Sequence, residues 1–293
     1  MHFDAGIAAA GLIVGFVVGL TGMGGGALMT PILVLIFNVQ PLAAVSSDLV
    51  ASVIMKPVGA GVHLRRGTVH KELVKWLVLG SVPSAFLGVI ILKQMGNGQQ
   101  VQDNLKLALG IALLVAAASI VAKTVLQATR PQSTRLHGPL TVKALPTAFI
   151  GVAGGLVVGM TSVGSGSLMI VMLLLLYPML SASELVGTDL VQAIPLVASA
   201  ALGHLLFGDF KLGLTASLLV GCLPGVYVGA RVSARAPDRI IRPALVFVLL
   251  ASALKLLNEP TTALGITLGV AAVFGLPAFY WLSNRPAPVS VDA

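Results

Sequence analysis

A glycine-broken apolar segment occurs twice in this chain, and that repetition constrains the fold more than any other feature. Residues 15–31 read GFVVGLTGMGGGALMTP and residues 155–169 read GLVVGMTSVGSGSLM. A shift of 140 positions lays Gly15, Gly19, Thr21, Gly24, Gly26, Leu28 and Met29 on Gly155, Gly159, Thr161, Gly164, Gly166, Leu168 and Met169. Each copy is an apolar segment, a glycine cluster, then a shorter apolar segment. A glycine cluster ends a helix and lets other atoms approach the backbone. With one residue inserted, the match continues: Asp48 with Asp189, His63 with His204, Gly67 with Gly208, Gly80 with Gly221, Pro83 with Pro224 and Gly88 with Gly229. The repeats are therefore about 5–128 and 144–257, joined by a basic, polar linker at 129–143. A last apolar run, 262–282, has no counterpart in the first repeat and reads as an additional transmembrane helix. Residues 283–293 hold two prolines and read as a disordered tail.

The solvent for these repeats is lipid. Apolar runs cover about 5–21, 26–37, 42–62, 73–92, 105–127, 144–161, 167–180, 185–207, 212–230, 240–257 and 262–282. The chain is 57% hydrophobic and 10% charged, where a soluble domain carries about 25% charged residues. The net charge of +8 could suggest nucleic acid, but the basic residues sit in short loops between apolar runs and act as topology signals. The single cysteine, Cys222, lies in an apolar run and offers no disulfide and no metal-ligand set. The first run has no basic n-region or small-residue cleavage site, so it reads as a retained segment.

A helix needs about 20 residues to cross a bilayer core. The runs at 26–37 and 167–180 are too short, and they occupy equivalent places after the two glycine clusters. Paired interrupted segments of this kind point to a transporter's binding site. Charge then orients the repeats. The loop after the third run holds Arg65, Arg66, Lys71 and Lys75 in the first copy, but only Lys211, beside Asp209, in the second. One loop later the bias reverses: Lys93 and Lys106 against Arg231, Arg235, Arg239 and Arg242. Equivalent loops thus lie on opposite sides of the membrane. The expectation is an all-α polytopic membrane protein of two inverted repeats. Each carries a Gly-broken short helix that either crosses or re-enters. The linker, with Arg130, Arg135 and Lys143, and the C-terminus, with Arg285, fall inside, and the N-terminus outside. Glycines spaced by four at Gly15/Gly19, Gly151/Gly155/Gly159 and Gly225/Gly229 permit close helix contact.

The glycine clusters are the first candidates for chemistry. A break followed by a new helix presents backbone N–H groups and a positive dipole end, where an anion binds without a charged side chain. Gly24, Gly25 and Gly26 in one copy and Gly164 and Gly166 in the other would supply the backbone. Thr21, Thr161, Ser162, Ser165 and Ser167 would add hydroxyls. The alternative is tight packing of a bent helix. On the anion reading, Gly25 and Ser165 lie across the two-fold axis, and a β-carbon at Gly25 would crowd the donors. Asp48 and Asp189 follow Ser and Thr near the start of long runs, which favours N-caps over protonatable carboxylates coupling anion movement to protons. Lys56, before Pro57, either contacts the anion or pairs with Asp48, or it snorkels toward Arg65. His63 and His204 end the third run of each repeat, as interfacial caps ahead of proton relays, while His70 and His137 sit in basic loops. Gly164-Ser165-Gly166-Ser167 with His204 superficially suggests an intramembrane hydrolase. Because Ser165 replaces Gly25 of the first copy, the repeat explains the pattern without a nucleophile.

Taken together, GLTGMGGGALMTPIL, PLAAVSSD at Pro41–Asp48, VHLRRGTV after the third run and the Gly80/Pro83/Gly88 helix resemble the sulfite exporter TauE/SafE family of bacterial membrane transporters. The resemblance covers about residues 5–257. It implies a secondary transporter moving sulfite, sulfoacetate or another organosulfonate across the inner membrane, outward and coupled to the proton gradient. Uptake of thiosulfate- or sulfate-like anions is the runner-up, and a channel comes third. No enzyme activity, cofactor, metal or nucleic acid is implied. The expected partners are the anion, the lipid bilayer and, as an open option, a second copy of the chain. The residues agree with an anion: the core segments hold hydroxyls, glycines and one lysine, and at most two intramembrane carboxylates.

Overall fold

A computed structural model describes residues 4–21, 25–95, 98–129, 140–232, 238–258, 261–275 and 277. Most of those residues are helical, with no strand among them. In chain order the helices are α1 (Ala5–Thr21), α2 (Gly26–Leu35), α3 (Pro41–Arg65), α4 (Lys71–Gln94), α5 (Gln99–Thr129), α6 (Ala144–Thr161), α7 (Leu168–Leu176), α8 (Ala182–Phe207), α9 (Leu212–Val232), α10 (Asp238–Leu256) and α11 (Thr261–Val270). A π-helical turn, Ala271–Gly275, follows α11. The rest of the expected helix at 262–282, the linker positions 130–139 with Arg130, Arg135 and His137, and the tail 283–293 lie outside the described residues.

Among the described residues, α3, α4, α5, α6, α8 and α9 are long and apolar enough to cross a membrane. The two short helices are as short as the sequence suggests. α2 has 10 residues and α7 has 9, so each is about 15 Å long or less, half of a core about 30 Å thick. α6 stops where the chain turns left-handed: Ser162 has φ 61°, Gly164 φ 122° and Gly166 φ 94°. L-residues resist those angles, so the serine is held there by its surroundings while the glycines adopt them freely.

Repeat-equivalent helices exchange partners. α1 packs along α9 of the other repeat, and its equivalent α6 packs along α4, the equivalent of α9. Both seams are built from small residues. A β-carbon on Gly221, Gly225 or Gly229 of α9 would strike the Ala8, Leu12 or Phe16 carbonyl of α1. One on Gly151, Gly155 or Gly159 of α6 would strike the Leu77, Ser81 or Ala85 carbonyl of α4. Lipid tails offer no hydrophobic drive for helix pairing, so such backbone-to-backbone packing is what holds the helices together.

α3 and α8 cross the middle and run antiparallel. Near the start of α3, Ser46 Oγ lies 2.9 Å from His204 Nδ1, near the end of α8. At the other end, Gly187 in α8 sits against Thr68 and the His63 ring, and the His70 N–H donates to Thr188 Oγ1 at 3.1 Å. His70 therefore does more than fill a basic loop, since its Nε2 also meets Glu184 Oε1 at 3.1 Å.

Candidate functional site

Two charged groups on α3 anchor the site. Asp48 and Lys56 are two turns apart and leave the same face of the helix. Both are buried, at 1% and 8% of full exposure. Asp48 Oδ2 accepts from Ser162 Oγ at 2.6 Å and from Thr30 Oγ1 at 3.3 Å. Ser162 closes α6 of the second repeat and Thr30 belongs to the short α2 of the first. Lys56 Nζ donates to Ser165 Oγ at 2.8 Å. Gly26 opens α2 with its Cα pressed against the Ser162 main chain, where a β-carbon would strike the carbonyl. The described parts of the two clusters, 140 positions apart in sequence, therefore touch each other and share α3.

Asp48 Oδ1 has no hydrogen-bond partner among the described residues. It faces Gly25, whose β-carbon, had it one, would lie 3.8 Å away. Gly25 has ordinary helical angles, φ −57° and ψ −30°. The expectation that any β-carbon there would crowd the site is thus corrected: the tight position is Gly26.

The second carboxylate sits in a different setting. Asp189 Oδ1 accepts from Gln192 Nε2 at 3.0 Å, and Gln192 Oε1 accepts from Ser81 Oγ at 3.3 Å. The same Gln192 Nε2 lies 2.8 Å from Met169 Sδ, and the Gly166 backbone N–H also faces the carboxylate. Lys56 is within electrostatic reach of both carboxylates, and Lys123 of α5 is within reach of Asp189. Among the described residues the ion pairs are His70–Glu184, Lys106–Asp103 and Lys211–Asp209. None of them involves the central three charges.

The favoured cap reading of Asp48 and Asp189 is overturned. Their helices begin at Pro41 and Ala182, so both carboxylates sit two turns inside. The cap of α8 is Ser181, in a reciprocal box with Glu184. Lys56 does not snorkel toward Arg65, because its ammonium is turned inward onto Ser165. His204 is not an interfacial cap. It is fully buried, with Nε2 2.8 Å from the Gly159 carbonyl. A carbonyl only accepts, so Nε2 carries the proton. His63 keeps its end-of-helix role, 2.9 Å from Thr68 Oγ1. The Thr161 hydroxyl is engaged within its own turn, donating to the Val157 carbonyl at 2.6 Å and accepting from the Val163 N–H at 3.2 Å. Ser167 is the buried residue before α7, with no side-chain cap bond. The Thr21 side chain and Gly24 lie outside the described residues. Ser165 bonds Lys56 while His204 bonds Ser46 and Gly159, so the Ser–His pairing of a hydrolase is not formed.

Sequence reasoning missed Thr30, Ser81 and Gln192. Each is a polar residue within an apolar run, and a polar group at membrane depth needs a partner. Gln192, three residues after Asp189 and so on the same helix face, carried the clearest signal.

Chemically, the arrangement is one buried ammonium, two buried carboxylates and a set of hydroxyls and backbone N–H groups from two chain breaks. It can hold a small oxyanion against Lys56 and Ser165 once carboxylate charge is neutralised. Comparison with known proteins agrees with a transport role. The family model described as "Sulfite exporter TauE/SafE" matches residues 7–256. The chain is 41% identical over 249 residues to "Probable membrane transporter protein YjnA" of Bacillus subtilis (strain 168), covering 84% of this chain and 97% of that one. It is 22% identical over 243 residues to "Probable membrane transporter protein YdhB" of the same organism, covering 80% and 91%. No solved structure matches.

Proposed function

The chain belongs to the sulfite exporter TauE/SafE family of membrane transporters, and we propose that it carries a small sulfur-containing anion, sulfite or an organosulfonate such as sulfoacetate, out of the cell with a proton. The observation that carries this reading is the buried Lys56 ammonium, bonded to Ser165 of the second cluster and within reach of both Asp48 and Asp189. With both carboxylates ionised the three groups sum to −1 and repel an anion. One proton brings the sum to zero and releases Lys56 toward the substrate. Anion and proton therefore enter the site together. A dianion leaving with one proton still carries one negative charge outward, which a membrane negative inside favours by about 2.3 kcal/mol per 100 mV. The proton-coupling candidates are Asp48, Asp189, His63 and His204.

Flux through proteoliposomes tests this. Sulfite and sulfoacetate should move faster than sulfate, and an imposed potential, negative on the substrate side, should speed them. The runner-up, uptake of a thiosulfate-like anion, predicts thiosulfate as the fastest substrate and acceleration by an inward pH gradient. Non-saturating flux of every anion that follows the potential but not pH is the behaviour of a channel and counts against a secondary transporter.

The inverted-repeat topology belongs to the same proposal. It is supported by the antiparallel α3 and α8, which put position 66 and position 209 at opposite ends of the pair. In a Cys222→Ala background, cysteines at these positions should label from opposite sides of the membrane, position 66 from the cytoplasm. Labelling from one side would overturn the topology. The cytoplasmic linker and C-terminus and the outside N-terminus follow from that orientation, and the inner-membrane setting is what the family suggests.

A further inference from the structure

The repeat makes Asp48 and Asp189 equivalent in sequence, but their surroundings differ in kind. Both donors on Asp48 are hydroxyls, from Ser162 and Thr30. A hydroxyl rotates and can accept as readily as it donates. The remaining oxygen, Oδ1, has no hydrogen-bond partner among the described residues. A proton can therefore join or leave Asp48 without breaking a contact that cannot reverse. The donors on Asp189 are an amide N–H and a backbone N–H, which only donate. Gln192 is itself oriented, because its carbonyl accepts from Ser81 Oγ at 3.3 Å. A proton on the Asp189 oxygen that Gln192 holds would leave two donors facing each other.

Other charges do not remove the contrast. Facing Asp48 are Lys56 on its own helix and Cys222 from α9, while α2 and the end of α6 bring only Thr30 and Ser162. Facing Asp189 are Lys56 from α3 and Lys123 from α5, with Ser81 from α4 and Met169 from α7 uncharged. Among the described residues, Asp189 has two cations within reach and Asp48 has one.

We infer that Asp48 is the group that takes up and releases the transported proton, and that Asp189 is a standing negative charge kept so by Gln192, a positioning residue. This rests on the reading of the chain as a proton-coupled anion transporter. It predicts one proton per sulfite and names the residue that sets that number. Removing the Gln192 donor leaves Asp189 free to accept a proton as well.

The test uses the full-length protein in vesicles loaded with a pH-sensitive dye, with sulfite as the probe and radiolabelled sulfite exchange measured in parallel. The wild type should move one proton per sulfite. Gln192→Leu should raise the ratio toward two, Ser81→Ala should shift it the same way by less, and Gln192→Asn, which restores an amide, should move it back toward one. Asp48→Asn should lose proton movement. An unchanged ratio in Gln192→Leu overturns the inference. So does proton movement by Asp48→Asn. Should Asp48→Asn not fold, the ratios of Gln192→Leu and Ser81→Ala decide alone. Wild-type vesicles that exchange sulfite without moving protons overturn this inference and the proton coupling it rests on, but not anion transport. Vesicles with no sulfite exchange overturn the transport reading beneath it.

Discussion

Lys56→Met is expected to abolish transport while leaving a folded protein. The ammonium is the cation on the face of α3 where the two glycine clusters meet, and its bond to Ser165 spans 109 positions of sequence. An oxyanion held there takes two charge-assisted bonds from that group, each contributing about 1.5–3 kcal/mol. Their loss amounts to about a 10²- to 10⁴-fold fall in affinity. Methionine has a similar volume and no polar group, but removing one partner of a buried charge cluster costs about 3–5 kcal/mol where the charge left behind stays unpaired. Asp48 can pick up a proton and Lys123 stays within reach of Asp189, so the protein should fold with a lowered melting temperature. Lys56→Arg should not rescue transport, because a planar fork with five donors is not a substitute for a compact ammonium in a packed site. Sulfite-dependent protection in a thermal melt, size-exclusion behaviour and vesicle flux together check this. A Lys56→Met protein that is protected by sulfite and transports at the wild-type rate would sink the site.

Much of the architecture was legible because the bilayer forces it. Every span must satisfy its own backbone, so apolar runs become helices and runs too short to cross stand out. The glycines of α1, α6 and α9, spaced by four, were readable as contact faces for the same reason, and they became the α1–α9 and α4–α6 seams. What the sequence did not yield was the exchange of partners between repeats, since spacing along one helix does not say which helix lies opposite. The site was legible in its backbone and misread in part of its side chains. Asp48 and Asp189 looked like caps because Ser and Thr precede them, yet a helix start is fixed by the chain's entry at Pro41 and Ser181, not by the nearest carboxylate. His204 looked interfacial because it ends an apolar run. Its burial depends on Ser46 and Gly159, 158 and 45 positions away. Gln192 was overlooked because its meaning is pairwise. An amide in an apolar run becomes informative only once Asp189 is placed on the same face.

Gly26→Ala is expected to cripple the protein where Gly25→Ala does not. The two glycines are adjacent in an identical-looking run, and the sequence pointed to Gly25 rather than Gly26 as the crowded position. A β-carbon on Gly26 would collide with the carbonyl of Ser162. That carbonyl is main chain in a buried left-handed turn, with φ 61°, so it cannot swing aside as a side-chain tip would. Relief requires the first cluster to move away from the second. The first bond at risk is Ser162 Oγ to Asp48 Oδ2 at 2.6 Å, which ties the turn to α3. Overpacking of this kind costs about 1–3 kcal/mol, about a 5- to 150-fold shift in the population that keeps the site assembled. Gly25 has helical angles, and its β-carbon would rest 3.8 Å from Asp48 Oδ1 and from Met55 Cε, an ordinary contact. Gly25 is the N-cap of α2 rather than an interior position, where glycine is preferred to alanine, so Gly25→Ala should melt a little below the wild type and well above Gly26→Ala. Gly25→Val is a sharper probe of the anion position, because its extra methyl groups would extend toward the unpartnered Asp48 Oδ1. It should keep the fold and lose sulfite protection. Thermal melts with and without sulfite, run beside flux for all three variants, separate the cases. If Gly26→Ala is as stable and active as the wild type, the two clusters do not depend on the contact described here, and the joint site between them is wrong.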